Sequence, residues 1–292
     1  MIGNSINIKL YDTLEIGDAH SPIIMGVLNL SPESFYKGSV YETEFSLKKA
    51  IKEMIKNGAK MLDLGARSTA PWSKKITIQE ELDRILPAMH IVCKNIPRDI
   101  ILSVDTQYAE IAQATLDLAK NLKKRIVIND VSCLKTDPSL KSFLVDNNIP
   151  VIIMASKKVP GDLCTIPEII LELKKTISEL KEKGYSEKNI IIDPGIGHWI
   201  ERKTHIYDLK IIGNLDKLRD LRKPILVAIS RKSFIGTTLN IPEPENRLNG
   251  TLAATAIAVF NGAHIIRTHD VNSQFFEIVK MAEELRKVSL VK

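Results

Sequence analysis

Short runs of aliphatic residues recur along the chain, each closing on a polar residue and each followed by apolar positions at helical spacing. The clearest is Ile190-Ile191-Ile192-Asp193-Pro194-Gly195-Ile196-Gly197, in which three β-branched residues without helical periodicity stop at a carboxylate and a turn. It reads as a buried strand that delivers one acid at its carboxyl end. The acid could cap the following helix, or, with Gly195 and Gly197 beside it, face a ligand that approaches the backbone closely. The same construction predicts strands over residues 23–28, ending at Asn29, and over 61–64, which carries Asp63. Others lie over 100–104, delivering Asp105 and Thr106, and over 126–128, delivering Asn129 and Asp130. The last three cover 151–153, delivering Met154, 225–229, leading to Ser230-Arg231-Lys232, and 265–266, leading to Arg267-Thr268-His269-Asp270. Helices are expected from near Thr43, over 78–93, and over 166–183, where Ile169, Leu173, Ile177 and Leu180 share a face with lysines opposite. At the start, Ile6, Ile8 and Leu10 alternate, break at Tyr11-Asp12-Thr13 and resume at Leu14-Glu15-Ile16, which predicts a small hairpin.

Eight strand-then-helix units predict an α/β chain folded as a (β/α)8 TIM barrel, with the amino-terminal β-hairpin placed to plug its bottom. Strands separated by helices pair in parallel, and right-handed crossovers bring every carboxyl end to one face. Asn29, Asp63, Asp105, Asn129, Asp193, Lys232, Arg267 and His269 are therefore expected to converge on one mouth, where barrel enzymes keep their active sites.

Composition narrows this. A chain of 292 residues that is 44% hydrophobic can bury a large core as two small domains or one barrel, and the regular alternation favours a single domain over residues 1–292. The net charge of +6 is spread along the chain and aromatic residues make up only 5%, so anionic ligands fit and a nucleic-acid platform does not. Cys93, Cys133 and Cys164 lack metal-ligand spacing and read as reduced packing residues of a cytoplasmic protein. No apolar run approaches bilayer length, so no membrane partner is expected.

At the mouth, carboxylates that accept and amides that both donate and accept suit a flat heterocycle carrying ring N–H and amino groups. Arg231, Lys232, Arg267 and His269 follow strands seven and eight, where such barrels commonly hold a phosphate, and an Arg fork matches phosphate oxygens. Asn29 is placed to orient Mg²⁺ held mainly by phosphate oxygens.

The stretch from Ile24 through Asn29-Leu30-Ser31-Pro32-Glu33-Ser34-Phe35 resembles the first signature of dihydropteroate synthases. Ser68-Thr69, Ser103-Val104-Asp105-Thr106, Ile128-Asn129-Asp130, Asp193-Pro194-Gly195-Ile196-Gly197, Ser230-Arg231-Lys232-Ser233-Phe234 and Arg267-Thr268-His269-Asp270 follow in that family's order. The resemblance implies a transferase that joins 4-aminobenzoate to the methylene carbon of 6-hydroxymethyl-7,8-dihydropterin diphosphate and releases pyrophosphate. By the same resemblance, Asp105, Asn129, Asp193 and Lys232 hold the pterin, with Met154, Ser230, Arg231 and Thr268 also on the substrate side. Arg267 and His269, with Asn29 and Mg²⁺, hold the diphosphate; Thr69 belongs to a mobile loop; and Asp105, Lys232, Arg267 and His269 carry the catalytic roles.

The chain departs from the family pattern at Lys37, at Ala70 where the second loop usually has arginine, at Arg67 in that same loop, at Ala155, and at His198-Trp199-Ile200. Arg67 is expected to take over the missing arginine's contact with the diphosphate or the arylamine. Three other readings compete: a pterin-dependent methyltransferase, which would have no diphosphate to bind; a pterin-binding barrel without catalysis; and an unrelated sugar-phosphate barrel. The last helix, with Phe275, Phe276, Ile278, Val279, Met281 and Leu285, carries apolar surface enough for a homodimer contact.

Overall fold

The computed structural model describes residues 5–31, 36, 38, 41, 43–68, 73–197 and 200–290. The predicted hairpin is present as β1 (Asn7–Leu10) and β2 (Leu14–Gly17), antiparallel with Ile8 opposite Ile16. Among the described residues, eight parallel strands follow: β3 (Ile23–Asn29), β4 (Met61–Gly65), β5 (Ile101–Asp105), β6 (Ile126–Asp130), β7 (Val151–Met154), β8 (Ile190–Asp193), β9 (Leu226–Ala228) and β10 (Ile265–Thr268). They are ordered β8-β7-β6-β5-β4-β3-β10-β9. Ile192 bridges to Ile225 and donates its N–H to Pro224 O at 2.9 Å, which joins the two ends of the sheet into a barrel.

Helices α1 (Glu44–Lys56), α2 (Ile78–Asn95), α3 (Ala109–Asn121), α4 (Ser139–Asn147), α5 (Ile166–Glu182), α6 (His205–Gly213), α7 (Ser233–Leu239), α8 (Leu248–Phe260) and α9 (Ser273–Leu290) form the outer layer. Three of them start where threonine stands three residues ahead of a reciprocating side chain: Thr43 with Ser46, Thr77 with Glu80 and Thr165 with Glu168 form capping boxes.

Side chains alternate along each strand, so one face of every strand lines the barrel and the other packs under the helices. Met25, Met61, Ile101, Val127, Ile152, Ile191, Leu226 and Ile265, one from each strand, form an apolar layer inside the barrel. Leu10, Leu14 and Ile16 of the hairpin pack onto that layer and close the bottom, as the sequence pattern predicts. Tyr11 fastens the hairpin by donating its hydroxyl to Ile126 O.

A second fastening follows the hairpin. Asp18 receives both arms of the Arg219 guanidinium at 2.8 and 2.7 Å, the Ile6 N–H at 2.8 Å, and His264 Nε2 at 3.3 Å. Because His264 Nδ1 accepts the Ile225 N–H, its proton is assigned to the nitrogen that faces Asp18. Burial pushes the Asp18 carboxyl up, but the bonds from Arg219, His264 and Ile6 outweigh it and hold the group far below the ordinary carboxylate range. A carboxyl depressed on folding stabilises fully above its unfolded value, about 4, and loses that contribution as pH falls below it. Asp18→Asn is therefore expected to cost about 1–3 kcal/mol at pH 7. Thermal unfolding of parent and variant should show the gap closing as pH drops below about 4; a constant gap would remove the assignment.

Candidate active site at the carboxyl ends of the strands

Two residues above the apolar layer, the inward positions turn polar. Counting in twos from Met61, Ile101, Val127, Ile191 and Ile265 reaches Asp63, Ser103, Asn129, Asp193 and Arg267, and a further step along β5 reaches Asp105. Asp63 is the hub of this ring. Buried completely, it accepts Arg267 Nε at 2.6 Å on one oxygen and Asn129 Nδ2 at 3.2 Å on the other. Arg267 Nη2 reaches on to Asp105 Oδ2 at 3.2 Å, so one guanidinium spans two carboxylates. Burial, then the Asp63 charge, push the Asp105 carboxyl above its usual range, and Arg267 opposes them.

On the opposite wall, Asp193 accepts the Gly195 N–H at 2.8 Å while Lys232 donates its ammonium to Ile196 O at 2.5 Å. Burial raises the Asp193 carboxyl, against the Lys232 charge. Burial also pushes the Lys232 ammonium down to about 8, with Asp193 opposing and Arg267 reinforcing the fall. The turn between them needs its glycines: Gly195 has φ 72°, and a Cβ there would stand 3.1 Å from Ala155 O. Met154, also inward, packs beside this glycine.

His269 completes the basic side. Its Nδ1 lies 3.0 Å from Ser230 Oγ, and its ring meets Tyr36 edge-on at 5.0 Å. Burial first, then the charges of Arg267, Arg231 and Lys232, push the imidazole down to about 3, so it is neutral at pH 7.

Several sequence-predicted residues stand elsewhere. Arg231, with φ 57°, gives a two-pronged contact to Asp270 at 2.8 and 2.7 Å and its third nitrogen to Pro244 O and Glu245 O. Its fork is thereby filled, and the expectation that it offers that fork to phosphate oxygens is corrected. Thr268 falls on the outward face of β10, fully buried, and its hydroxyl accepts the Asp270 N–H at 3.0 Å, so the side chain does not line the mouth. Asp130, also outward, binds Ser132 and the Leu134 N–H and shapes the loop after β6. Thr69, Ala70, Lys37, His198 and Trp199 lie outside the described residues.

Arg67 is corrected as well. Its Nε contacts Glu81 Oε2 at 2.5 Å, its terminal nitrogens donate to Ile76 O and Thr77 O, and the guanidinium lies over the Tyr108 ring. Glu81, fully buried, also takes the Thr106 hydroxyl at 3.0 Å. The arginine therefore draws the two ends of its own loop together at the first turn of α2, rather than reaching toward an anion. Removing it strands a buried carboxylate, so Arg67→Ala is expected to lower stability by about 3–5 kcal/mol, read from the denaturation midpoint. Full stability with a loss confined to kcat/KM would restore the earlier expectation.

Sequence reasoning placed Asp63 at the mouth without giving it a task, and it passed over Lys203 and Asp208. Lys203 donates to Gly195 O at 2.7 Å, and Asp208 accepts the Gly197 N–H at 2.8 Å. Strand parity was the available signal for Asp63. Nothing in spacing alone marked the other two.

Asn29 is the one expected metal ligand. Its side-chain oxygen accepts the Ser31 N–H at 2.9 Å, which leaves one lone pair on a hard amide oxygen. Among the described residues no group of three His, Cys, Asp or Glu could hold a metal. A single oxygen ligand fits Mg²⁺ that arrives with most of its coordination supplied by phosphate and water, and it does not fit a protein-caged ion.

The chain matches the family described as Pterin binding enzyme over residues 25–269. It is similar to the dihydropteroate synthase of Bacillus subtilis, 34% identical over 266 residues that cover 90% of this chain and 88% of that one. It also superposes on a dihydropteroate synthase from Coxiella burnetii in complex with pteroic acid, with TM-score 0.80 and 34% identity over 97% of this chain and 100% of that one. The Xanthomonas albilineans dihydropteroate synthase with 4-aminobenzoic acid gives TM-score 0.78 and 26% identity over 99% and 100%.

Proposed function

Because the chain belongs to the pterin-binding enzymes, and among them to the dihydropteroate synthases, we propose that it condenses 6-hydroxymethyl-7,8-dihydropterin diphosphate with 4-aminobenzoate or a related arylamine and releases pyrophosphate. One observation carries the reading: a single cation, Arg267, bridges two carboxylates beside Asn129, across from the Asp193 and Lys232 pair. Acceptors toward the axis and cations at the rim match a ligand with donors on its heterocycle and negative charge at its far end.

In this reading Asp193 and Asn129 take the amino and ring N–H edge of the pterin, and Lys232 takes a ring acceptor. Met154 supplies apolar contact, and Ser230 orients His269. Asp105 sits where positive charge grows on the pterin as the carbon–oxygen bond to the diphosphate lengthens, and a carboxylate already in place stabilises that charge without reorganising. Arg267 and His269 meet the departing diphosphate, and the arylamine nitrogen attacks the methylene carbon. Mg²⁺, held by Asn29 and phosphate oxygens, would neutralise charge on the leaving group. Withdrawing Mg²⁺ is accordingly expected to weaken the pterin diphosphate far more than the bare pterin, compared by calorimetric titration. Equal weakening of both would remove Asn29 from the metal.

A pyrophosphate-release assay with the pterin diphosphate and a panel of arylamines tests the reading. Tight pterin binding without release would favour a non-catalytic barrel. Methyl transfer from a reduced folate would favour the methyltransferase, against which the basic strand ends stand.

The three cysteines are free and buried, as suits a reducing cytoplasm. Among the described residues no helix is long and apolar enough to cross a membrane. Ile257 and Phe260 of α8 and Met281, Leu285 and Val288 of α9 are exposed, and these two helices pack together, which supports a homodimer through this face. Sedimentation of the parent against Met281→Glu with Leu285→Glu tests that contact.

A further inference from the structure

The turn at residues 195–197 has no means of its own to keep a shape. Gly195 and Gly197 hold φ 72° and 131°, and neither has a side chain to restrain it. Yet its groups are tied on every side. Gly195 N–H goes to Asp193, Gly195 O receives Lys203, Ile196 O receives Lys232, and Gly197 N–H goes to Asp208. Lys203 and Asp208 lie 3.4 Å apart, and both side chains are completely buried. Two charges hidden this deeply are a poor source of stability, because an apolar pair of similar volume commonly does as well or better. Their presence behind the turn calls for a different reason.

We propose that Lys203 and Asp208 are positioning residues: together they fix the turn whose middle carbonyl, Ile196 O, sets the Lys232 ammonium against the pterin. Asp208 holds the turn by its last N–H, Lys203 holds it by its first carbonyl, and the carbonyl between them is left aimed at Lys232. Among the described residues, the titratable groups that act on that ammonium are Asp193 from β8, Arg267 from β10, His269 after it, and the Lys203 and Asp208 pair itself. A shift of the turn would therefore move Lys232 relative to Asp193, the two residues assigned to one end of the pterin. The inference rests on that assignment.

The test replaces both charges at once, Lys203→Met with Asp208→Leu, because either single change alone strands a buried charge. The double variant leaves no buried charge unpaired, but it frees Gly195 O and the Gly197 N–H, so it is expected to fold with a melting temperature modestly below the parent's. Its KM for the pterin diphosphate should rise by roughly ten- to a hundredfold, the scale of a misplacement of about 1 Å, while KM for the arylamine stays put. In a Lys232→Ala background the same pair of changes should add little, since both act through one contact. Asp208→Asn, which keeps an oxygen for the Gly197 N–H, should show a smaller rise and serves if the double variant does not fold. A folded variant with the parent KM, or with both KM values raised alike, would overturn the proposal. Pterin affinity by fluorescence titration separates it from the functional reading: a parent that binds pterin but releases no pyrophosphate overturns the activity, whereas the loss of affinity in the double variant still supports the clamp.

Discussion

Asp105→Asn is expected to cut turnover by about a hundred- to a thousandfold, the range found when one preorganised electrostatic group is taken from a transition state. The replacement keeps shape and loses charge. It sits at the mouth, partly open to solvent, so packing is untouched, and Arg267 retains Asp63 as its closer partner. What disappears is a carboxylate whose ionisation is contested, pulled upward by burial and Asp63 and downward by Arg267. The pH profile carries a second signature. With a raised carboxyl, kcat/KM for the parent should begin to fall on acidification well above the ordinary aspartate range, and the variant should lack that limb. Unchanged kcat in a correctly folded variant would take Asp105 out of the chemistry.

Lys232→Ala should be about as severe, and it is read on the alkaline side. The ammonium is pushed down to about 8 by burial, so in the free enzyme its charge is lost as pH rises through that value. If the charged form binds the pterin diphosphate, kcat/KM declines above about 8 in the parent. The limb in kcat lies higher, since a bound diphosphate favours the proton. The alanine variant should show neither limb and a rate reduced by about a hundredfold or more. An alkaline limb that survives the substitution would belong to another group.

The strand ends were legible because a parallel strand buried on both faces is a short apolar run, and the first polar residue after it marks the carboxyl end. That rule placed Asp105, Asn129 and Asp193 at their strand ends, and Lys232 two residues past Ser230. It could not say which way a residue points when the strand is as short as β10, where a one-residue step separates Arg267 in the barrel from Thr268 beneath the helices. Nor could it see partners that arrive from distant sequence. Arg67 reads as a stand-in for the loop arginine missing at Ala70, and only the fold brings in Glu81, fourteen residues on, as its anchor. Arg231 looked like a phosphate fork until Asp270, from the next strand's end, filled it. Lys203 gave no sign at all, since a lysine in a polar stretch is ordinarily solvated.

The plug at the bottom of the barrel sets a sequence in time. The hairpin and the residue after it are held by partners far along the sequence: Tyr11 needs Ile126, and Asp18 needs Arg219 and His264. An isolated two-stranded hairpin has little stability of its own, so it gains its full anchorage only when the strand ends around β10 are in place. Docking of the hairpin then marks the moment when the ring is whole. A chain cut before Arg219 and His264 would leave residues 7–18 more open to proteases than the chain that keeps them.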